Sequence, residues 1–184
     1  EEAAAASQIL GIDVRENLGL PDGLFELNHN SRLRVVEAIR KYQPTIILAN
    51  AIDDRHIDHP KGAQLVKGAV FLAGLAKIET LSNGSAQEPW RTKHLFNYIQ
   101  HYHITPDFVI DVTPYQSRKI ESILAYKTQF YNPDNNGDET PISSKRFLNF
   151  LDGRAREMGE SIGVEFGEGF TSSRPLTYDL DSLL

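Results

Sequence analysis

The chain has no cysteine, and only one tryptophan and one methionine, among its 184 residues. Without cysteine there is no disulfide framework and no thiolate metal site, so any bound metal must rely on imidazole and carboxylate ligands. No apolar run approaches the roughly 20 residues that a membrane-spanning helix needs. Positive charge is also scarce: 19 Lys and Arg stand against 25 Asp and Glu, a formal net charge of −6. That balance argues against nucleic acid, whose binders carry a basic footprint. There is no Gly-x-Gly-x-x-Gly, hence no dinucleotide fingerprint, and no internal repeat or low-complexity linker. These bounds leave one domain over residues 1–184, with the cytoplasm as the expected compartment.

What is present alternates between apolar runs and helical periods. Residues 1–10 read as a helix ending at Gly11, and residues 13–18 as a short strand. The Pro-Asp-Gly of loop 19–23 carries turn chemistry. Leu33, Val36 and Ile39 then mark a helix that stops before Pro44. Residues 45–49 form an apolar run without alternation, the pattern of a parallel strand covered on both faces. A helix follows over 60–75, with strands over 94–100 and 107–112. Thr113-Pro114 opens a helix reaching about residue 130, residues 131–141 form a polar loop, and a last helix starts at Ser143 or Ser144. Strands alternating with helices predict a Rossmann-like three-layer α/β sandwich with a mostly parallel sheet.

The stretch between the strand over 45–49 and the next helix carries the chemistry. It reads Asn50-Ala51-Ile52-Asp53-Asp54-Arg55-His56-Ile57-Asp58-His59. In open α/β sheets ligands bind beyond the carboxyl ends of the strands, where this loop lies. His56 and His59 can face one cavity if the chain turns between them, and a carboxylate beside an imidazole orients it or tunes its basicity. On spacing alone a helix start with Asp58 as cap and two surface histidines fits equally well.

His56-Ile57-Asp58-His59 after a buried strand resembles the second signature of the LmbE-like (PIG-L) zinc-dependent N-acetylglucosaminyl deacetylases. Collinear resemblances run along nearly the whole chain. They include Glu16-Asn17-Leu18-Gly19-Leu20-Pro21-Asp22, Asp54-Arg55-His56, Lys77-Ile78-Glu79-Thr80 and Pro89-Trp90-Arg91. Others are Tyr126-Lys127-Thr128-Gln129-Phe130-Tyr131-Asn132-Pro133, Glu139-Thr140-Pro141-Ile142-Ser143 and Ile162-Gly163-Val164-Glu165-Phe166-Gly167-Glu168-Gly169-Phe170. The bacillithiol-pathway branch, which deacetylates N-acetylglucosaminyl malate, is the most similar. Two departures stand out. Ile57 takes the place of a family proline. The first family signature, Ala-His-Pro-Asp-Asp, which supplies two zinc ligands and the general base, does not occur in the sequence. The resemblance therefore implies that roughly the first quarter of a family-sized domain precedes residue 1.

The resemblance also assigns roles. His59 is the expected Zn2+ ligand. His56 is the group that stabilises the oxyanion or protonates the leaving amine, and Asp58 orients one of the histidines while being compatible with a helix cap. Arg55 holds a substrate carboxylate. Trp90-Arg91 forms either a sugar-stacking wall with an anion contact or a core lid with a surface arginine. A homo-oligomer is implied by the family alone. Three rivals remain open: a different N-acetyl sugar as substrate, a catalytically incomplete scaffold that only binds, and a metal phosphoesterase. The last is disfavoured by the lack of a glycine-rich phosphate cradle.

Overall fold

The apolar run and the helical period that flank the histidine segment become strand β1 (Ile46–Ala49) and helix α3 (Asp58–Ala73). Before them come helices α1 (Glu2–Leu10) and α2 (His29–Tyr42). After them come a short hairpin of β2 (Leu81–Ser82) and β3 (Ser85–Ala86), then strands β4 (His94–Tyr98) and β5 (Phe108–Asp111). Helices α4 (Gln116–Leu124) and α5 (Lys145–Glu160) and strand β6 (Gly167–Ser172) complete the order. The computed structural model describes residues 1–134 and 140–177. The polar loop expected over 131–141 therefore lies partly outside the described residues, as does Glu139. Among the described residues no helix is long and apolar enough to cross a membrane.

The sheet corrects the expected topology. Four strands lie in the order β1-β4-β6-β5. β1 and β4 pair in parallel, with Ile47 opposite Leu95 and Ala49 opposite Asn97. β6 runs antiparallel to β4, with Phe96 opposite Ser172 and Tyr98 opposite Phe170. The fold is thus mixed α/β, and the one parallel pair among the described residues, β1 with β4, does not make a mostly parallel Rossmann-like sheet. β6 escaped the sequence reading because Gly-Glu-Gly-Phe-Thr-Ser contains one large apolar side chain and so shows no period. β1 is not covered on both faces, since Ile46 and Leu48 are 53% and 54% exposed. No strand forms over 13–18, and the helix expected over 114–130 is a 3-10 turn (Thr113–Tyr115) followed by α4, which stops at Leu124.

The chain divides into two compact units. The first joins Glu1–Asn17 to Val109–Glu168. In it α1 packs on α4, and the Glu2 carboxylate accepts the N–H and hydroxyl of Thr128 at 2.9 and 2.7 Å. Gly159 on α5 lies against the backbone that follows the helix. A Cβ there would come 2.7 Å from the Val164 carbonyl oxygen, so a side chain does not fit.

The second unit comprises Leu18–Phe108 and the described residues from Gly169 on. Here α2 lies on α3, and Val36, Ile39, Ala69 and Ala73 form the buried cluster, with Ile47, Ile78 and Trp90 packed against it. Trp90 is a lid on this core: its indole N–H donates to the Pro44 carbonyl at 2.9 Å. Small residues bring the elements close. A Cβ on Gly62 of α3 would sit 2.8 Å from Asn50 Oδ1, so glycine lets the end of β1 lie against the helix. The Asn50 carbonyl in turn accepts Asn97 Nδ2 at 2.7 Å, tying the ends of β1 and β4 together. Because β1 and β4 are parallel, the loops that follow them leave the sheet at the same end, and that shared end positions the candidate site.

Candidate functional site

Between β1 and α3 the chain turns at the histidines. The His59 N–H donates to the His56 carbonyl at 3.0 Å, which sets the two rings on one side. They stack with centroids 5.1 Å apart and planes at 28°. The turn left open by the sequence reading is therefore made, and both imidazoles share one site.

Asp54 organises this site. Its side chain is fully buried, while that of His59 is 29% exposed. Its two oxygens accept His59 Nδ1 at 2.6 Å, the Arg55 N–H at 2.6 Å, the His101 N–H at 3.1 Å and the Tyr102 N–H at 3.2 Å. One carboxylate thus pins the loop after β4 to the loop after β1. Burial is the largest single influence on this carboxyl and pushes its pKa up. The bonds from His59, Arg55 and His101 together outweigh burial, and the pKa lies below the ordinary aspartate value.

In the neutral form of each ring the hydrogen bonds select opposite tautomers. His56 Nδ1 accepts the Asp58 N–H at 3.2 Å, so its own proton sits on Nε2. His59 Nδ1 faces the Asp54 carboxylate, so its proton sits there and Nε2 carries the lone pair. His56 is built to donate from Nε2, and His59 is built to accept or ligate at Nε2. Gln100, two residues past the end of β4, stands with its Nε2 3.3 Å from His59 Nε2.

The remaining predicted residues are placed as follows. Asp58 lies in the first turn of α3, where the helix dipole favours its charge, but the N-cap position is Ile57. Its carboxylate touches neither histidine. It accepts the Gly23 N–H at 2.5 Å and lies 3.8 Å from Lys61 Nζ, holding the Pro-Asp-Gly turn against the start of α3. Arg55 is exposed beside the histidines, with its backbone N–H committed to Asp54. Arg91 is not brought to the histidines. Its side chain lies against Gly74, at the other end of α3 from His59. At 1.5 Å per residue, that is roughly 20 Å away along the helix.

Asp54 and Gln100 are the site residues that the sequence reading did not single out. Asp54 had a signal, since Asp54-Arg55-His56 is one of the resembling stretches, but nothing separates it locally from Asp53. Gln100 gave none, because it read as the last residue of a strand.

His59 fits a metal ion at one position: a buried carboxylate on Nδ1 and an outward lone pair on Nε2 is the usual arrangement of a ligating imidazole. Among the described residues no group of three or more His, Asp and Glu is placed to hold a metal ion. His59 is thus one ligand of a set that the described residues do not complete.

The site is a histidine turn beyond the carboxyl ends of a parallel strand pair, in a mixed α/β fold. The family model PIG-L, described as GlcNAc-PI de-N-acetylase, matches residues 1–70, which include the whole segment from Asp54 to His59. The conserved protein TT1542 of Thermus thermophilus is 31% identical over 97% of this chain and 74% of that one, with a TM-score of 0.83. The chain belongs to the PIG-L family. It is also similar to the 4-carboxy-2-hydroxymuconate hydratase of Pseudomonas putida, at 20% identity, TM-score 0.73, 97% of this chain and 72% of that one. A third likeness is to the N,N'-diacetylchitobiose deacetylase of Pyrococcus horikoshii, at 24% identity, TM-score 0.73, 92% of this chain and 60% of that one. At these identities the last two likenesses establish the fold alone.

Proposed function

We propose that the protein is a zinc-dependent deacetylase that hydrolyses the N-acetyl amide of an N-acetylglucosaminyl conjugate, with N-acetylglucosaminyl malate as the substrate. The observation that carries this reading is the opposed pair of tautomers: His56 offers a hydrogen-bond donor and His59 a lone pair on adjacent, stacked rings. The description of the matched family model and the activity named for the Pyrococcus relative point to the same chemistry. A zinc ion with His59 among its ligands would supply a Lewis acid and would acidify a bound water towards a pKa of about 7.

The chain's own residues then divide the work. Asp54 holds the His59 ring and keeps its proton on Nδ1, away from the ligating nitrogen. His56 Nε2–H donates to the carbonyl oxygen of the acetyl group as negative charge develops on it. One such donor is commonly worth about 10²–10³ in rate. Arg55, exposed at the rim, forms a charge-assisted fork with the malate carboxylate. Acetate and a free amine are the products.

The test is amine release from N-acetylglucosaminyl malate by the zinc-loaded protein. His56→Ala is expected to slow release by about 10²–10³-fold with zinc still bound. A chain that binds zinc yet releases no amine from this or any related N-acetyl sugar would sink the proposal, and so would one indifferent to His56→Ala.

A further inference from the structure

We propose that Asn83 is a self-modifying site, whose side-chain amide is attacked by the backbone nitrogen of Gly84 and converted to aspartate and isoaspartate without an enzyme. Asn83 and Gly84 are the central residues of the turn between β2 and β3, with Ser82 opposite Ser85 and Leu81 opposite Ala86. Their φ angles, 52° and 79°, are both positive, as a type I′ hairpin turn requires. Both residues are exposed, so water reaches the reacting atoms. A Cβ on Gly84 would meet nothing within 4 Å, so no neighbour screens the attacking nitrogen. The pair that closes the turn is Ser82 with Ser85, which leaves the Gly84 N–H outside the ladder. Attack requires the Asn83 backbone to rotate out of the turn. Little resists that rotation, since β2 and β3 have two residues each and a hairpin so short is marginal by itself. The Gln87 N–H, bonded to the Thr80 carbonyl at 3.0 Å, closes the base, so the tip opens alone.

In the first step the Gly84 nitrogen gives its proton to solvent base and bonds to Asn83 Cγ. The bond from Cγ to the side-chain nitrogen breaks, ammonia leaves, and a succinimide ring remains. Water then adds to one of the two ring carbonyls. Addition at Cγ breaks its bond to the Gly84 nitrogen and leaves aspartate. Addition at the main-chain carbonyl breaks the original peptide bond and leaves isoaspartate, with the chain running through the side chain. Either product puts a carboxylate where a neutral amide stood, on a protein whose formal net charge is already −6. Isoaspartate does more, because its backbone is longer by one methylene. A two-residue turn fixes the register of the strands it joins, so the lengthened turn no longer sets Ser82 against Ser85.

The folded protein is aged in mildly alkaline buffer beside the synthetic peptide Ile78–Arg91, and both are followed by mass spectrometry. Trypsin cuts after Lys77 and Arg91, so Asn83 is read on its own peptide. The other Asn-Gly of the chain, Asn136-Gly137, falls on the separate peptide Thr128–Lys145. Isoaspartate is distinguished from aspartate by methyl transfer from S-adenosylmethionine with an isoaspartyl methyltransferase as reagent. Asn83 in the folded protein should convert within about tenfold of the free-peptide rate, since a tip that opens easily protects little. The aged protein should also lose the cross-strand contact of Ser82 with Ser85 in its NMR spectrum, and the Asn83→Asp variant should keep it. An Asn83 that survives in the folded protein after the free peptide has converted overturns the proposal. So does isoaspartate confined to the peptide Thr128–Lys145. An Asn83→Asp variant that loses the same contact overturns the lengthened turn as the cause.

Discussion

Asp54→Ala is expected to destabilise the second unit by about 3–5 kcal/mol, the cost of removing one member of a buried charged cluster. The substitution takes away one side chain and leaves four N–H groups without an acceptor: those of His59 Nδ1, Arg55, His101 and Tyr102. A donor left unpaired costs about 1–3 kcal/mol where it is buried, and the N–H groups of the exposed Arg55 and Tyr102 recover part of that from water. The loss falls on the contacts that join the loop after β4 to the loop after β1, so stability and site geometry fail together. The sole tryptophan, Trp90, packs on the core of the same unit and reports its urea unfolding by fluorescence. A midpoint unchanged from wild type would mean that Asp54 does not join the two loops.

The same carboxylate sets a pH dependence. Its pKa is lower in the folded chain than the ordinary aspartate value. A group of that kind contributes its full stabilisation above the unfolded pKa of about 3.9 and loses it as pH falls through the folded value. The stability difference between wild type and Asp54→Asn is therefore expected to carry the contribution of the charged carboxylate above about pH 4. It should shrink once the pH drops below about 4. Paired unfolding curves across that range check it, and a difference that grew on acidification would contradict the assignment.

The contrast between Asp54 and Asp58 shows what the sequence could reveal. The histidine turn was legible because a strand with a continuous apolar core and a helix with a recognisable start bracket it within a dozen residues. The carboxylate that serves His59 was not. Asp54 acts through His101 and Tyr102, 47 and 48 positions away, and a partner that distant leaves no local pattern. Asp58, next to His59 in sequence, was the natural candidate to orient a histidine. Its carboxylate accepts instead from the Gly23 N–H, 35 positions earlier, a partner as remote from any local pattern as His101 is for Asp54. Arg91 is exposed, and its side chain lies against Gly74 at the other end of α3 from His59. The parallel pairing of β1 and β4 was within reach of the apolar pattern. The antiparallel β6 was not, since a strand of glycines and hydroxyl residues is defined by the neighbours it pairs with and not by its own period.

Arg40→Met is expected to cost the second unit about 3–5 kcal/mol, since several acceptors are left without a donor at about 1–3 kcal/mol each where buried. Arg40 is 4% exposed. Its guanidinium donates to the carbonyls of Ala73, Leu75 and Ile78 at 3.1, 2.9 and 2.7 Å, and to Thr80 Oγ1 at 2.8 Å. Ala73 ends α3, so the cation meets carbonyls that the helix cannot satisfy and the negative end of its dipole. A buried ion pair can sometimes be exchanged for apolar groups at no loss, but only when both partners are replaced. Here the acceptors are mostly main-chain carbonyls and remain after any substitution. Arg40→Lys should fall between wild type and methionine, because an ammonium keeps the charge but cannot span four acceptors with a planar fork. With its carboxyl end untied from α2, α3 is held less firmly, so the urea midpoint should fall from wild type through lysine to methionine. A methionine variant as stable as wild type would reduce Arg40 to a neutral filler of the core.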